Sequence, residues 1–404
     1  MEVIVCGGGA AGLMAAITAA QNGNNVTLVE KNQKCARKVM ITGKGRCNVT
    51  NNCDKETLIK NTLSNPKFLY SAFNAFDSSS TMEFFEKQGV ALKTERGNRV
   101  FPTSDKACDI VDALVNRAKK SGVKIINDTV IKVIKENGEI KSVLLERGGE
   151  LLCDKCIIAT GGASYTGTGS TGDGFRFAKE LGHTVKELSA SLVPLKIREG
   201  FAEKMMGLSL KNVKLTVFCK GEKKPVFCEQ GEMLFTHFGI SGPLVLSASA
   251  HIDTAKKEYY CLLDMKPALD LNTLDNRILR DFSKNANKDF INSLGELLPA
   301  KMIPTVVKLC GIEGNTKVNQ ISKEQRTKLC SVIKGIEMNI IGTRPIEEAI
   351  ITRGGVSVKE INSATMESKL IKGLYFAGEV IDVDAYTGGF NLQIAFSTGY
   401  LAGL

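Results

Sequence analysis

Residues 3–30 read VIVCGGGAAGLMAAITAAQNGNNVTLVE, and this stretch decides the fold of the first domain. An apolar strand runs into a glycine turn, a helix of small residues follows, and a second strand ends at the acidic Glu30. That order predicts a βαβ unit that binds a dinucleotide. We expect Gly7 to form the tight turn, Gly9 to let the backbone approach a pyrophosphate, and Gly12 to let helix and strand pack closely.

The charges of this unit suit the same ligand. A helix N-terminus presents free N–H groups and a partial positive charge to a pyrophosphate. Glu30 follows Gly12 by 18 residues, the spacing at which a carboxylate accepts hydrogen bonds from a ribose. A glycine turn without a ligand is the alternative, and the strand–helix–strand context disfavours it.

Length and composition indicate an ordinary globular protein. The 404 residues predict two or three domains, and 43% are hydrophobic and 24% charged. The apolar first twenty residues lack the basic segment of a signal peptide, since the first Lys or Arg is Lys31. No apolar run reaches membrane-spanning length. We interpret the twelve cysteines as reduced thiols of a cytoplasmic protein.

Cys153 and Cys156 form a CxxC motif. Cys153 precedes a predicted strand and Cys156 is the first residue of that strand. A helix N-terminus would stabilise a thiolate, but neither cysteine lies at one. In an extended chain a spacing of three also directs the two side chains to opposite faces. The pattern therefore disfavours a redox pair.

The net charge of +10 raises the question of nucleic-acid binding. Basic residues are dispersed among acids, apart from short pairs such as Lys119-Lys120, Lys223-Lys224 and Lys256-Lys257. A basic surface that helps to hold an anionic cofactor or substrate fits this dispersion better than a nucleic-acid partner does.

The chain predicts an α/β fold in which a Rossmann-like domain is interrupted by an insertion. Residues 1–188 and 356–404 are expected to form the nucleotide-binding domain, with a hairpin at Asn137-Gly138. Short alternating segments predict an inserted antiparallel β domain over residues 189–266 and 336–355. Helical spacing predicts a small helical subdomain over residues 267–335.

Two later segments favour FAD over NAD. Residues 157–162 (IIATGG) and 374–379 (LYFAGE) are strands that end in small residues, and 387–393 (TGGFNLQ) opens a final helix. Here the chain resembles flavoproteins with a glutathione-reductase-type FAD domain. The resemblance implies that Glu379 bonds the ribityl chain and that the last helix directs its N-terminus at the flavin pyrimidine. That helix end would stabilise the negative charge of reduced flavin.

Three further segments carry a closer resemblance: residues 42–51 (TGKGRCNVTN), 352–356 (TRGGV) and 377–383 (AGEVIDV). The whole chain is similar to a bacterial FAD-protein family that includes aminoacetone oxidases and dehydro-bile-acid reductases. The resemblance implies FAD and is a poor guide to substrate. We expect the FAD to be non-covalent, since the sequence gives no clear attachment signal. The cofactor-binding residues expected from motifs and resemblance together are Gly7, Gly9, Ala10, Ala11, Gly12, Glu30, Lys31, Lys38, Gly43, Lys44, Arg46, Cys47, Asn48, Val130, Thr160, Gly161, Gly162, Gly378, Glu379, Gly388, Gly389, Asn391 and Gln393.

Three residues are candidates for catalysis. Arg353, beside two glycines, suits anchoring of a substrate carboxylate or carbonyl, with a surface ion pair as the alternative. His237 suits proton donation, with a structural histidine as the alternative. Tyr386 suits a proton donor or a lid over the flavin. No metal site is expected.

The leading functional hypothesis is an FAD-dependent oxidoreductase acting by hydride transfer at flavin N5. We expect reduction of an activated C=C bond in a small, steroid-like substrate, with NAD(P)H as the electron donor. An amine oxidase that uses oxygen is one alternative. A flavin-binding protein that modifies RNA or senses redox state is the other. The sequence leaves substrate and oligomeric state open.

Overall fold

A computed structural model describes residues 1–404, which divide into two compact units. Unit 1 comprises residues 1–191 and 345–404, and unit 2 comprises residues 192–344. The helices fall short of what a bilayer crossing requires in length and apolar character.

The first part of unit 1 contains eleven strands and seven helices. The strands are β1 (Glu2–Cys6), β2 (Asn25–Glu30), β3 (Thr50–Asn51), β4 (Leu92–Glu95), β5 (Arg99–Pro102), β6 (Lys124–Asn127), β7 (Val130–Glu136), β8 (Glu139–Leu145), β9 (Gly149–Leu152), β10 (Lys155–Ile158) and β11 (Val185–Ser191). The helices are α1 (Ala10–Gln21), α2 (Arg37–Ile41), α3 (Lys55–Lys60), α4 (Tyr70–Ala75), α5 (Ser78–Lys87), α6 (Ala107–Lys120) and α7 (Asp173–Glu180).

Unit 2 contains six strands and six helices. The strands are β12 (Leu195–Ile197), β13 (Ser209–Cys219), β14 (Pro225–Thr236), β15 (Gly239–Ser241), β16 (Tyr259–Asp264) and β17 (Ile336–Thr343). The helices are α8 (Phe201–Lys204), α9 (Pro243–Ser249), α10 (Leu271–Lys284), α11 (Phe290–Ser293), α12 (Ile303–Cys310) and α13 (Lys323–Lys334). The chain then returns to unit 1 with β18 (Ile351–Val356), β19 (Leu374–Phe376) and α14 (Phe390–Gly403).

Unit 1 is built on a five-stranded parallel sheet in the order β19-β10-β1-β2-β6. Residues Val3–Cys6 of β1 and Cys156–Ile158 of β10 are apolar and buried, as expected where both faces of a parallel sheet are covered. α1 and α14 pack against each other so closely that a Cβ on Gly399 would lie 2.3 Å from the Ala11 carbonyl oxygen. The carboxyl ends of β1, β10 and β19 therefore lie side by side, where open α/β sheets bind ligands.

Unit 2 is a closed barrel in the order β12-β15-β14-β13-β16-β17, together with helices that share its core. The barrel agrees with the antiparallel β domain expected from the sequence. One core joins barrel and helices, so the division expected near residue 266 does not separate two compact units.

The outer limits of the insertion also differ from those expected. β18 was assigned to the inserted domain, but it pairs with β11 inside unit 1. The pairing is close, since a Cβ on Gly354 would lie 2.2 Å from the Glu187 carbonyl oxygen. Glycine at that position lets the two backbones approach.

Candidate cofactor and active site

The glycine turn between β1 and α1 has the geometry of a dinucleotide-binding turn. Gly7 has φ +104°, and its N–H donates to Val29 O at 2.8 Å. A Cβ on Gly12 would lie 1.9 Å from the Gly7 carbonyl oxygen, so only glycine lets α1 pack on the turn. A Cβ on Gly9 would meet no protein atom within 4 Å. The space beside Gly9 is therefore open to a ligand.

The N-terminus of α1 lacks any side-chain cap. Gly9 is the N-cap residue, and no acidic residue lies in the first turn. The first intrahelical bond runs from Leu13 N–H to Gly9 O at 2.9 Å, which leaves the N–H groups of Ala10, Ala11 and Gly12 without helical acceptors. Open space, free donors and the helix dipole together fit a pyrophosphate.

Glu30 closes β2 and is buried beside the turn. Its Oε2 accepts the Gly8 N–H at 2.7 Å, and its Oε1 accepts the backbone and side-chain N–H groups of Asn32 at 2.8 and 2.7 Å. These bonds hold the carboxylate at the sheet edge where a ribose is expected. The neighbouring Lys31 bonds Thr171 at 2.5 Å and Asp173 at 2.6 Å instead. The Lys31 ammonium group therefore binds side chains at the start of α7.

A polar cluster joins four distant segments at the carboxyl end of the sheet. Lys38 Nζ lies 2.7 Å from Glu379 Oε2 and donates to Ser164 Oγ at 2.7 Å. Glu379 Oε1 accepts the Thr352 N–H at 2.8 Å and the Ser164 hydroxyl at 3.1 Å. A Cβ on Gly162 would lie 2.4 Å from Thr352 Oγ1, so glycine is required where β10 leads into the cluster.

Sequence reasoning named Lys38, Glu379 and Gly162 but not Ser164 or Thr352. Ser164 follows the predicted Gly162 by two positions, and Thr352 opens the segment 352–356 that carries the family resemblance. Thr160, also predicted, has a fully buried hydroxyl with no hydrogen-bond partner in the protein. Gly161 has φ +76°. The turn after β10 thus combines an orphaned hydroxyl with a backbone that only glycine adopts readily.

The loop of residues 42–48 holds five predicted residues in differing surroundings. Gly43 and Lys44 have φ values of +57° and +60°, and Lys44 is exposed. The Arg46 guanidinium forms ion pairs with Glu95 and Asp105 and lies 4.1 Å from the centroid of the Phe101 ring. The Arg46 side chain is thus engaged by protein groups, so its expected cofactor contact stays a prediction.

Cys47 and Asn48 complete this loop. Burial raises the pKa of the Cys47 thiol to about 12, which keeps it protonated. The Asn48 side-chain amide is oriented so that both its oxygen and its nitrogen have hydrogen-bond partners. The oxygen accepts the Gly389 N–H at 3.0 Å, and the nitrogen donates to Thr50 O at 3.1 Å. Asn48 therefore supports the turn before α14.

The N-terminus of α14, like that of α1, has no side-chain cap. Gly388 and Gly389 have φ values of +121° and +100°, and a Cβ on Gly389 would lie 2.3 Å from the Thr50 carbonyl group. The Asn51 amide, which the sequence did not single out, donates to Gly388 O at 3.0 Å. No acidic residue lies in the first turn of α14. This end is suited to an anionic ring.

Asn391 and Gln393 bond to protein rather than facing open space. Asn391 donates to the carbonyl oxygens of Ala385 and Tyr386 at 2.8 and 3.2 Å. The fully buried Gln393 accepts the Thr50 and Thr81 hydroxyls at 2.6 and 2.8 Å. It also donates to Phe76 O and Ser397 Oγ. The Gln393 side chain anchors α14 through these hydrogen bonds. A cofactor contact at this position would therefore be made by the Gln393 backbone.

The two remaining predicted cofactor residues lie at strands of two different sheets. Gly378, at the end of β19, has φ +76°, and a Cβ there would lie 2.8 Å from the Ala11 Cβ. Its N–H donates to the Thr398 hydroxyl at 2.9 Å, which ties the turn to α14. Val130 is buried at the start of β7.

Two of the three catalytic candidates belong to unit 1. Arg353 Nε lies 3.7 Å from Asp384 Oδ2. Asp384 is fully buried; its Oδ2 accepts the Ser191 hydroxyl at 2.7 Å, and its Oδ1 has no hydrogen-bond partner. Tyr386 follows two residues later, and its N–H donates to Asn61 O at 3.0 Å. Asp384 is a buried neighbour of Arg353 that no sequence motif indicated.

His237 belongs to unit 2. It is exposed in the turn between β14 and β15, and its ring makes an edge-to-face contact with Phe238 at a centroid distance of 4.9 Å. Its expected role in proton donation stays a prediction. Groups of three or more His, Cys, Asp or Glu able to hold a metal ion do not occur in the structure.

The CxxC cysteines, Cys153 and Cys156, are both free thiols. The sulfur of Cys156 lies 3.8 Å from that of Cys6 on the neighbouring strand, and both thiols are buried. Burial raises the pKa of Cys153 to about 12. A protonated thiol is a poor nucleophile, which agrees with the expectation against a redox pair.

Comparisons with known proteins extend this description. The family model for the HI0933-like protein Rossmann domain matches residues 1–404. The chain is 30% identical to a 3-dehydro-bile acid delta(4,6)-reductase from Clostridium scindens, covering 99% of this chain and 97% of that protein. It is 33% identical to a ribosomal RNA dihydrouridine synthase from Haemophilus influenzae, covering 100% and 98%.

Among solved structures, the chain is similar to a 3-ketosteroid-delta4-(5alpha)-dehydrogenase from Rhodococcus jostii RHA1. The TM-score is 0.52 at 14% identity, over 100% of this chain and 96% of that one. At this identity the likeness concerns the fold.

Proposed function

The chain belongs to the HI0933-like family with a Rossmann domain and is a flavin-dependent oxidoreductase, and on this premise we propose that it reduces a C=C bond conjugated to a carbonyl group. The observation that carries the proposal is that two full-length relatives perform this one kind of reaction. A bile acid delta(4,6)-reductase acts on double bonds of a 3-oxo steroid, and dihydrouridine is uridine with a reduced C5=C6 bond. In both substrates a carbonyl polarises the bond that accepts hydride.

The residues of unit 1 suit FAD as the cofactor. The α1 N-terminus and Gly9 would hold the pyrophosphate, Glu30 the adenosine ribose and Glu379 the ribityl chain. The α14 N-terminus would face the pyrimidine ring. When bound, FAD would take a hydride from NAD(P)H and pass it to the β-carbon of the substrate.

Arg353 is the group we propose to hold the substrate carbonyl. Its Nε lies 3.7 Å from the buried Asp384 carboxylate, and a positive charge stabilises an oxygen that gains negative charge as hydride adds. A proton must then reach the α-carbon of the substrate. Tyr386 and His237 are the candidates, and Tyr386 follows Asp384 by two residues.

The test is an anaerobic one. The protein is reduced with NADH or NADPH and then mixed, without oxygen, with a 3-oxo-Δ4,6-steroid or with uridine-containing RNA. A separate aerobic assay offers a primary amine to the oxidised protein. We expect a conjugated C=C acceptor to reoxidise the flavin. Arg353→Ala should retain the flavin spectrum and slow this reoxidation about 100-fold, the scale of losing one electrostatic donor. Reoxidation by none of the conjugated acceptors, with turnover of the amine, would replace the proposal by an amine oxidase.

The conjugated C=C bond could belong to either of two substrate types, a steroid-like small molecule or an RNA base. A steroid-like small molecule is the substrate expected from the sequence. An RNA base is the second candidate, and the distribution of charge favours it. Residues 192–344 contain 23 Lys and Arg and 16 Asp and Glu, so unit 2 carries +7 of the net +10.

A further inference from the structure

The outer surface of the barrel in unit 2 carries two stacked aromatic rings. Phe218 on β13 lies opposite Tyr260 on β16, with ring centroids 5.2 Å apart and an interplanar angle of 14°. The residues before each of them, Val217 and Tyr259, are buried in the barrel. Because side chains alternate along a strand, Phe218 and Tyr260 point outward, and both are half-buried.

Five lysines lie at the same end of the barrel. The hairpin between β13 and β14 contributes Lys220, Lys223 and Lys224, and the loop before β16 contributes Lys256 and Lys257. The two loops are tied together: the Lys220 N–H donates to Glu258 O at 2.9 Å, and Lys257 Nζ lies 2.8 Å from Glu222 Oε1.

The acids nearby neutralise only part of this charge. Lys220 pairs with Glu258 at 2.8 Å and Lys256 with Asp253 at 2.9 Å. Lys223 and Lys224 are exposed and form no ion pair. Two lysine pairs that lie more than thirty residues apart in the sequence thus meet beside the rings. We call Phe218, Tyr260, Lys220, Lys223 and Lys224 the barrel aromatic face.

We propose that the barrel aromatic face binds single-stranded RNA. Aromatic rings give bases a surface to stack on, and lysines beside them meet the phosphates; this combination binds single strands with little sequence preference. The excess charge of unit 2 is complementary to the RNA backbone. The inference rests on the proposed function, since it makes a uracil base in RNA the conjugated C=C substrate.

The test is binding of a fluorescein-labelled 12-nucleotide oligouridylate to the holoenzyme, measured by anisotropy at several salt concentrations. Phe218→Leu with Tyr260→Leu keeps apolar side chains on the barrel and removes the rings. We expect it to weaken binding at least tenfold with little change in salt dependence. Lys223→Ala with Lys224→Ala should lower the slope of log Kd against log salt by about 1.4, for two phosphates of a single strand.

Lys284→Ala with Lys288→Ala is the matched control, since both lysines are exposed and belong to unit 2. Equal weakening by the two lysine pairs, or wild-type binding by the leucine variant, would overturn the proposal. Capture of a protein or of anionic vesicles in place of RNA would also overturn it.

The same variants separate this inference from the proposed function. Flavin reoxidation by a small conjugated C=C acceptor should be unchanged in all of them. RNA binding without any C=C reduction would remove the proposed function and leave the barrel aromatic face standing. C=C reduction without RNA binding would remove the RNA-binding role of the barrel aromatic face and leave the proposed function standing.

Discussion

Substitution of Gly9 by alanine tests the cofactor site while leaving the protein packing intact. Gly9 has φ −78° and ψ −171°, which alanine adopts without strain. Its Cβ would meet no protein atom within 4 Å. Alanine is a poorer N-cap than glycine, but it also reduces the entropy of the unfolded chain. These effects oppose each other, so we expect stability to change by less than about 1 kcal/mol.

The effect on FAD should be much larger. If the pyrophosphate approaches the backbone at Gly9, the added methyl group displaces its oxygens from the N–H groups of α1. Loss of one hydrogen bond to a charged group costs about 2 kcal/mol, which is roughly a 30-fold increase in Kd. The assay is flavin content after purification together with FAD dissociation on dilution, followed by flavin fluorescence.

Gly200→Ala is the matched control. Gly200 is also an N-cap glycine whose Cβ would meet no atom within 4 Å, but it lies in unit 2. It should retain stoichiometric flavin with wild-type affinity. A Gly9→Ala protein that binds FAD as tightly as wild type would refute the placement of the pyrophosphate. So would a Gly9→Ala protein that loses far more thermal stability than the control, because packing would then explain the loss.

Two further predictions concern buried titratable groups. Burial lowers the pKa of Lys155, whose ammonium lies 4.0 Å from the Tyr375 ring centroid, from 10.5 to about 8. The unfolded chain holds this proton more tightly between pH 8 and 10.5, so stability should rise with pH across that window, by at most about 3 kcal/mol. Lys155→Met should raise the melting temperature at pH 7 and lose that advantage near pH 10.5; an equal difference at both values would contradict the assignment. For the thiols, mass spectrometry after brief iodoacetamide treatment at pH 8 should find Cys228, which is exposed, labelled well before Cys153 and Cys47, whose pKa values burial raises to about 12. Rapid labelling of Cys153 would reopen the redox interpretation of the CxxC motif.

The sequence by itself determined the parts of the fold whose signals are local. The order of strand, glycine turn and helix over residues 3–30 places β1, α1 and β2, and the close approach of Gly12 to the Gly7 carbonyl oxygen lies within that unit. The hairpin at Asn137-Gly138 is similar, because both residues adopt positive φ values of 50° and 82° between β7 and β8. Periodicity and turn chemistry act over a few residues, and these elements need nothing more.

Only the tertiary structure decided which distant segments meet. Lys38 and Glu379 lie 341 positions apart in the chain, and Thr50 bonds Gln393 across 343 positions. β18 carries no local signal that distinguishes pairing with β11 in unit 1 from pairing with the barrel. The lysines at this end of the barrel are likewise short, separate pairs in the sequence, Lys223-Lys224 and Lys256-Lys257. Such contacts depend on the packing of whole elements and on the closure of long loops, and local residue patterns do not record either.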